Sequence, residues 1–237
     1  MIWRQIGRFG SQSPRVWWWP QSLGFSATTD SAALLNGSQA IGADLADLEK
    51  LESVVIATEQ ALAGHVDILV NSAAVFEYDT LKSVSASSLG RHLEVNVTAA
   101  VLLTRFATRH TSRNEPGLIL NILDYKIHNP FPDFPSYTLT KYAMHGFTQV
   151  AAWDLAPHWR VCAIAPGYTL AGPEQSPEHF ARTHDSVPLK RGSTPADIGQ
   201  AAVYLAQAQK VTAQVLTVDR GAHMVAQDRD FMFSERS

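Results

Sequence analysis

The sequence of 237 residues has little cysteine, little charge and no long apolar run. A single cysteine, Cys162, cannot form an internal disulfide framework, and it stands in an apolar stretch without a neighbouring base that would activate a catalytic thiol. No apolar segment is long enough to span a bilayer, and the first residues lack the pattern of a secretory signal. These absences predict a domain in the reducing cytoplasm with Cys162 as a buried thiol.

The charge balance also excludes several classes of partner. A formal net charge of -3 fits neither a nucleic-acid-binding surface nor a polybasic membrane surface. The hydrophobic fraction of 46% is enough for one sizeable core, and the chain contains no internal repeat or long linker. We therefore expect one domain over residues 1–237 that acts on a small molecule, without nucleic acid, membrane or metal ion.

Strand-like and helix-like segments alternate from about residue 38 onward. The segments VDILVNSAA, GLILNIL and WRVCAIAPG are nearly continuous apolar runs, which is typical of strands buried on both faces, and AQVLTVD predicts a last strand. Helical spacing occurs in residues 48–64, 87–110, 136–157 and 194–207, with Ser136 as a candidate N-cap and Pro195 and Asp197 in a first turn. The order predicts an α/β fold, a doubly wound parallel sheet with helices on both faces.

Polar or turn-forming residues follow several of these predicted strands. Asp44, Asn71, Asp124 and the pair Pro166 and Gly167 all stand at predicted strand ends. In a parallel sheet of this kind, ligands bind beyond the carboxyl ends of the strands. We expect these residues to gather at one ligand-binding edge.

Tyr137 and Lys141 form the clearest chemical pair. Residues four apart on a helix lie on the same face, about 6 Å apart along the axis. A phenol has an ordinary pKa of about 10, and a neighbouring ammonium group favours its ionised form. Tyrosine can then exchange a proton with a carbonyl, alcohol or imine while a cofactor transfers hydride. Alone, the pair is also common on ordinary surface helices.

The combination of segments is far more specific. ILVNSAA, EVNV, YTLTK and AIAPG follow one another in an order and spacing that resemble the short-chain dehydrogenase/reductase family. The resemblance covers roughly residues 38–224, including the later segments PLKRGSTPADIGQAAVYL and VLTVDRGAHM. It implies a Rossmann-like fold, a nicotinamide cofactor, and a homo-oligomer, tetramer or dimer, built through helices 87–110 and 137–155.

The resemblance also implies catalytic roles. Tyr137 would be the acid/base, Lys141 would lower the pKa of Tyr137 and bind the nicotinamide ribose, and Asn96 would hold a proton-relay water. Asn71 opens the motif that the family writes NNAG, although Ser72 and Ala74 replace its second Asn and its Gly.

Cofactor contacts are implied for residues from several strand ends. Asp44 would meet the adenine amino group, although an ordinary helix-capping role explains it as well. The full set implied by the resemblance is Arg4, Ile6, Asp44, Leu45, Asn71, Ala73, Tyr137, Lys141, Pro166 and Gly167.

Asp124 narrows the resemblance to one subgroup. Most of the family has a serine thirteen residues before the tyrosine, and this chain has Asp124 there. An ionised carboxylate only accepts hydrogen bonds, so it suits a substrate with N–H donors or a ring nitrogen to be protonated. The arrangement resembles the pteridine and dihydromonapterin reductases, in which an aromatic residue matching Phe76 stacks on the pterin. Asp124 could instead cap local backbone, and Phe76 could be a core or lid aromatic.

The first thirty residues depart from the family. Arg4, Gln5, Ile6, Gly7 and Arg8 match the end of the glycine-rich phosphate-binding turn, but the first strand and first glycine of that turn have no counterpart. A Trp-Trp-Trp run at 17–19 replaces an expected helix and strand, which we interpret as a shifted reading frame rather than a partner-binding patch. Ala213 and Arg220 stand where the family has glycines, and Arg220 is expected to fit a tight turn poorly.

Three functional hypotheses follow. The first is a reductase that transfers hydride from NADPH to a pterin-like substrate, with NADH as a possible cofactor. The second keeps the fold and cofactor but takes an alcohol or ketone. The third is a family member whose altered amino-terminal region impairs cofactor binding.

Overall fold

The computed structural model describes residues 2–3, 41–110, 116–172 and 175–233. Expectations for Arg4, Ile6 and the Trp run at 17–19 therefore lie outside the described residues. The described strands are β1 Ile2–Trp3, β2 Ile68–Asn71, β3 Gly117–Ile122, β4 Trp159–Pro166 and β5 Val215–Val218. The described α-helices are α1 Leu51–Leu62, α2 Ala86–Leu93, α3 Ala99–Ala107, α4 Pro135–Asp154, α5 Pro177–Ser186 and α6 Pro195–Gln207.

The strands form one sheet in the order β1-β2-β3-β4-β5. Strands β2 to β5 are parallel, and their register places Asn71 beside Asn121 and Ile122 beside Ile164. On the other side of β2 lies the two-residue β1, which runs antiparallel with Ile2 opposite Leu69. The predicted parallel sheet is confirmed in β2–β5, whereas the segment beside β2 has the opposite direction.

Strand β3 shows why helices cover both faces of the sheet. Successive side chains of a strand point to opposite faces. Leu118 and Leu120 pack with Ile198 and Leu205 of α6, and Ile119 packs on the other side. The partners of Ile119 come from α1, α3 and α4, namely Val55, Ala107 and Ala151. The prediction of helices on both faces is therefore confirmed, and Cys162 is fully buried as expected.

Several local predictions are wrong. Residues 41–44 form no strand, so Asp44 does not stand at a strand end, and its Oδ1 accepts the N–H of Ala46 in a local turn at 2.9 Å. Ser136 is not the N-cap of α4, because the helix begins at Pro135 and Phe134 occupies the N-cap with φ 60°. Helix α5 was not predicted at all, since its apolar face is short.

Two other features agree with the sequence. Thr194 and Asp197 form a reciprocal capping box at the start of α6, which also has Pro195 in its first turn. Ala213 and Arg220, which replace family glycines, adopt the left-handed backbone with φ 58° and φ 55°. Within the described residues, no helix combines the length and the apolar character needed to cross a membrane.

Candidate active site

Asp124 uses its two carboxylate oxygens for different purposes. It follows β3 and caps the short 3-10 turn Tyr125–Ile127, where its Oδ1 accepts the N–H of Lys126 at 2.9 Å. Its Oδ2 accepts the phenolic hydroxyl of Tyr137 at 3.0 Å. The local-capping interpretation is correct for one oxygen, and the other oxygen meets the tyrosine as the resemblance implies.

Lys141 lies one helical turn after Tyr137 on α4. Its ammonium nitrogen donates to the carbonyl of Ile122, the last residue of β3, at 2.8 Å, and lies 5.2 Å from the centre of the Tyr137 ring. Both side chains are buried, so the end of β3 and the first turns of α4 fix them together. The sequence spacing correctly placed the two residues on one face.

The sequence predicts that Lys141 lowers the pKa of Tyr137, but the pKa of Tyr137 is raised in this structure. Burial, reinforced by the negative charge of Asp124, raises the pKa of Tyr137 well above its ordinary value. Burial also lowers the pKa of Lys141 to about 8, against the opposing effect of Asp124. The desolvation of a phenolate is therefore the largest effect on the pKa of Tyr137.

Asp124 is shifted towards its neutral form. Burial raises the pKa of Asp124, and the positive charges of Lys126 and Lys141 oppose that shift only in part. A carboxyl group with a raised pKa can carry a proton closer to neutral pH than an ordinary aspartate. Asp124, Tyr137 and Lys141 are thus three buried titratable groups with shifted pKa values at one place in the fold.

Phe76 supplies an aromatic wall beside Tyr137. Its ring meets the Tyr137 ring edge-on at 4.6 Å between centroids and stacks on Phe134 at 4.2 Å. Phe134 has a left-handed backbone that non-glycine residues rarely adopt, a strain that is typical of functional sites. Phe76 therefore lies beside Tyr137, and its stacking on a substrate stays a prediction.

Asn96 stabilises the backbone that carries Phe76. It lies in the π-helical turn Glu94–Thr98 between α2 and α3. Its Oδ1 accepts the N–H of Val75 at 2.6 Å, and its Nδ2 donates to the carbonyl of Val75 at 2.9 Å and to Oγ1 of Thr140 at 3.1 Å. The side chain thus fixes the residue before Phe76, and the role in holding a water stays a prediction.

Asn71 belongs to a polar chain inside the sheet edge. Its Nδ2 donates to Oδ1 of Asn121 at 2.9 Å and to Oγ1 of Thr104 at 3.3 Å, and Asn121 donates in turn to Thr148 at 2.9 Å. Its side chain therefore organises the ends of β2 and β3. A direct cofactor contact by Asn71 stays a prediction.

The remaining cofactor residues fall into two groups. Gly167 follows β4 and packs against Asp219. A Cβ added at Gly167 would lie only 2.6 Å from the Asp219 Cβ, so a larger residue would not fit there. Ala73 is exposed after β2, on the same edge of the sheet as Gly167. Asp44 is exposed and Leu45 half-buried in the turn before α1, away from any strand end.

A nicotinamide ribose suits the described part of this edge. The three N–H groups of the Lys141 ammonium include more donors than Ile122 uses, and ribose hydroxyls are acceptors of the matching kind. Ala73 and Gly167 are small, so neither of them obstructs a close approach to the backbone there. These residues would hold the nicotinamide half of the dinucleotide. Arg4 and Ile6, which were predicted to contact the cofactor, lie outside the described residues.

Four important residues were not found from the sequence. Asp79 accepts the hydroxyl of Ser136 and holds the start of α4. Phe134, Lys126 and Asp230 contact the site through rings and a buried ion pair. Sequence reasoning missed them because their partners lie far away along the chain and no local pattern marks them.

A group of possible metal ligands lies elsewhere in the described residues. Donor atoms of Glu59, His65 and His110 are within 4.8 Å of one another. Arg109 donates to Nε2 of His110 at 3.2 Å and also to the Glu59 carboxylate, so a guanidinium already links two of the three.

The chain is similar to known oxidoreductases over most of its length. Residues 19–223 match the family model described as enoyl-(acyl carrier protein) reductase. Galactitol 2-dehydrogenase from Agrobacterium fabrum is 31% identical over 215 residues, 84% of each chain, and L-2,3-butanediol dehydrogenase from Corynebacterium glutamicum is 30% identical over 198 residues, 76% of each. The crystal structure of FolM alternative dihydrofolate reductase 1 from Brucella canis, complexed with NADP, superposes with a TM-score of 0.75 at 31% identity, covering 80% of this chain and 75% of that one.

Proposed function

The chain belongs to the short-chain dehydrogenase/reductase family, and we propose that it reduces a pterin-like ring with hydride from NADPH. The observation that carries the proposal is the hydrogen bond of 3.0 Å between the Tyr137 hydroxyl and Oδ2 of Asp124. Phe76 beside Tyr137 supplies a ring against which a flat substrate can stack.

A carboxyl group at position 124 favours a nitrogen heterocycle over a ketone. A ketone oxygen accepts hydrogen bonds, so an ionised Asp124 would repel it rather than bind it. The amino-pyrimidinone edge of a pterin presents N–H donors, and reduction of its imine bond requires one proton for each hydride. Asp124 matches both requirements, because it accepts hydrogen bonds when ionised and carries a proton when neutral.

The residues of the site divide the proton chemistry among them. Tyr137 donates the proton to the ring nitrogen, and Asp124, whose pKa is raised by burial, returns a proton to Tyr137 through their hydrogen bond. Lys141, anchored on Ile122, supplies positive charge beside both groups and hydrogen bonds for the nicotinamide ribose. Bound NADPH supplies the hydride, and the NADP complex of the Brucella relative supports this choice of cofactor.

An alcohol or ketone substrate is the second candidate. It is favoured by the similarity to galactitol 2-dehydrogenase and L-2,3-butanediol dehydrogenase. Asp124 argues against it for the reason given above. The two candidates share the fold, the cofactor and Tyr137, so the substrate alone separates them.

The deciding experiment compares substrates with purified full-length protein. NADPH binding is first measured by fluorescence titration. Turnover is then measured with NADPH for the reduction of a dihydropterin and of acetoin, and with NADP+ for the oxidation of galactitol. The proposal expects saturable NADPH binding and a kcat/KM for dihydropterin that exceeds the others at least about tenfold. Higher kcat/KM for acetoin or galactitol would establish the second candidate, and absence of NADPH binding would support the impaired family member.

We also propose that the protein is a homo-oligomer through α4. One side of α4 exposes Leu139, Val150 and Trp153, with Trp153 87% exposed. These positions recur at helical spacing and form one apolar stripe, which is unusual on a free surface. The predicted assembly through helices 87–110 and 137–155 would cover the stripe.

A further inference from the structure

Lys126 is an ammonium group buried beside the site. Its side chain is 3% exposed, and its Nζ lies 2.8 Å from Oδ2 of Asp230, which is 1% exposed. Removing two charges from water is costly, and two apolar side chains of similar volume would often be no less stable. The pair is therefore a candidate for a role other than packing.

Aromatic rings surround the ammonium of Lys126. Its Nζ lies 4.3 Å from the ring centre of Phe131 and 4.7 Å from that of Phe134. Phe76 and Tyr137, the two rings of the proposed substrate site, lie at 5.7 and 5.8 Å. Such distances allow cation–π attraction, so the Lys126 ammonium contacts rings of the proposed substrate site.

One residue thus links the reacting carboxyl group to a distant part of the chain. The backbone N–H of Lys126 donates to Oδ1 of Asp124 at 2.9 Å. Its side chain holds Asp230, which is more than a hundred positions later in the sequence. A movement of Asp230 would therefore shift Lys126 and, through the backbone hydrogen bond, the position of the Asp124 carboxylate.

The segment that carries Asp230, residues 227–233, lies over the aromatic wall. The N–H of Asp230 donates to Oδ2 of Asp133 at 2.8 Å, and Arg229 pairs with the same carboxylate at 2.9 Å. The ring of Phe233 stacks on that of Phe134 at 6.0 Å between centroids, and the ring of Phe134 also stacks on Phe76. Two ion pairs and a ring contact hold the segment in place.

We propose that Lys126 is a positioning residue that, by pairing with Asp230, fixes residues 227–233 as a wall of the substrate site and selects flat heteroaromatic rings. The proposal rests on the proposed function for the nature of the substrate. The wall includes aromatic rings, which suit a planar substrate better than the hydroxyl groups of an open-chain polyol.

The first test needs no enzyme activity. Full-length protein is labelled with acetic anhydride, and the modification of each lysine is followed by mass spectrometry. Lys126 should react at least about tenfold more slowly than the exposed Lys82, because its reaction requires local opening. Asp230→Asn should raise the labelling rate of Lys126, whereas Asp228→Asn, an exposed acid in the same segment, should not. Equal rates for Lys126 and Lys82 in the unaltered protein would overturn the proposal.

The second test separates positioning from folding. Asp230→Asn leaves a buried ammonium unpaired and can unfold the chain, so the pair is also replaced by Lys126→Met with Asp230→Leu. We expect this double variant to keep its Tm and to raise KM for dihydropterin about tenfold, with a smaller change in kcat. The ratio of kcat/KM for dihydropterin to kcat/KM for galactitol should therefore fall. Loss of the Lys126 charge should also move the alkaline limb of kcat/KM to higher pH, because that charge lowers the pKa of Asp124, and Asp124 must be protonated to return its proton to Tyr137.

Unchanged KM, pH profile and substrate preference in the folded double variant would refute the positioning role. If the unaltered protein turns over no dihydropterin, the proposed function fails. The labelling result then still decides whether Lys126 and Asp230 fix the segment.

Discussion

The phenolic oxygen of Tyr137 lies 3.0 Å from Oδ2 of Asp124, thirteen positions earlier in the chain. A loop with two prolines and the first turn of α4 bring the two groups together after β3 ends. This contact distinguishes the site from one with a serine at the same position, because a serine hydroxyl can donate to a carbonyl and an ionised carboxylate cannot. The following predictions test the consequences.

Tyr137→Phe removes the proton donor while keeping the ring that packs against Phe76. We expect kcat/KM to fall about 10²- to 10⁴-fold, the usual contribution of general acid catalysis, with Tm nearly unchanged. Steady-state kinetics and thermal unfolding measure the two quantities. Tyr204→Phe, an exposed tyrosine on α6, is the matched control and should retain activity; equal losses in both variants would contradict the assignment.

Asp124→Ser installs the residue that most of the family has at this position. Dihydropterin reduction should fall about 10- to 100-fold, the value of a hydrogen bond to a charged group, while acetoin turnover should stay constant or rise. Competition between the two substrates in one assay gives the ratio directly. A uniform loss with both substrates would show that Asp124 does not select the ring.

The lowered pKa of Lys141 predicts how stability changes with pH. The folded protein releases this proton at about pH 8 and the unfolded chain near the ordinary value of 10.5, so the unfolded state binds more protons between those values. The free energy of unfolding should therefore rise with pH there, by about 1 to 2 kcal/mol from pH 8 to 9.5, relative to a Lys141→Met variant. Urea unfolding at several pH values measures it. Lys82→Met, an exposed control, should show no such difference from the unaltered protein.

Trp153→Glu tests the proposed interface on α4. A charge on the apolar stripe must be desolvated when two copies associate, so the variant should elute and scatter light as a smaller species. Size-exclusion chromatography with light scattering gives the mass. Tyr204→Glu, a comparably large exposed side chain on α6, should leave the mass unaltered. A monomeric unaltered protein would exclude the interface.

Ala213→Gly tests the strain at a position where the family has glycine. Because Ala213 has φ 58°, glycine should raise the free energy of unfolding by up to about 1 kcal/mol, partly offset by its greater freedom in the unfolded chain. Ala202→Gly inside α6 should lower it by about 1 kcal/mol. Chemical denaturation of both variants compares them, and a destabilised Ala213→Gly protein would show that the turn does not strain alanine.

The sequence by itself determined the parallel strands, most of the helices and the Tyr137–Lys141 pair. Apolar runs and helical spacing are local properties, and they placed β2–β5, α1, α4 and α6 close to their actual bounds. Asp124 stands two residues beyond β3 and thirteen before Tyr137, and the resemblance to the pteridine reductases anticipated that the two side chains meet.

Tertiary structure alone decided the electrostatics of the site and its wall. The sequence predicted a lowered pKa for Tyr137, but the extent of burial depends on packing from several elements, and desolvation raised the pKa instead. The Lys126–Asp230 pair joins positions that no local pattern relates. Contacts between residues far apart in the chain are set by how the whole sheet and its helices pack, which is why these features appear only in the folded structure.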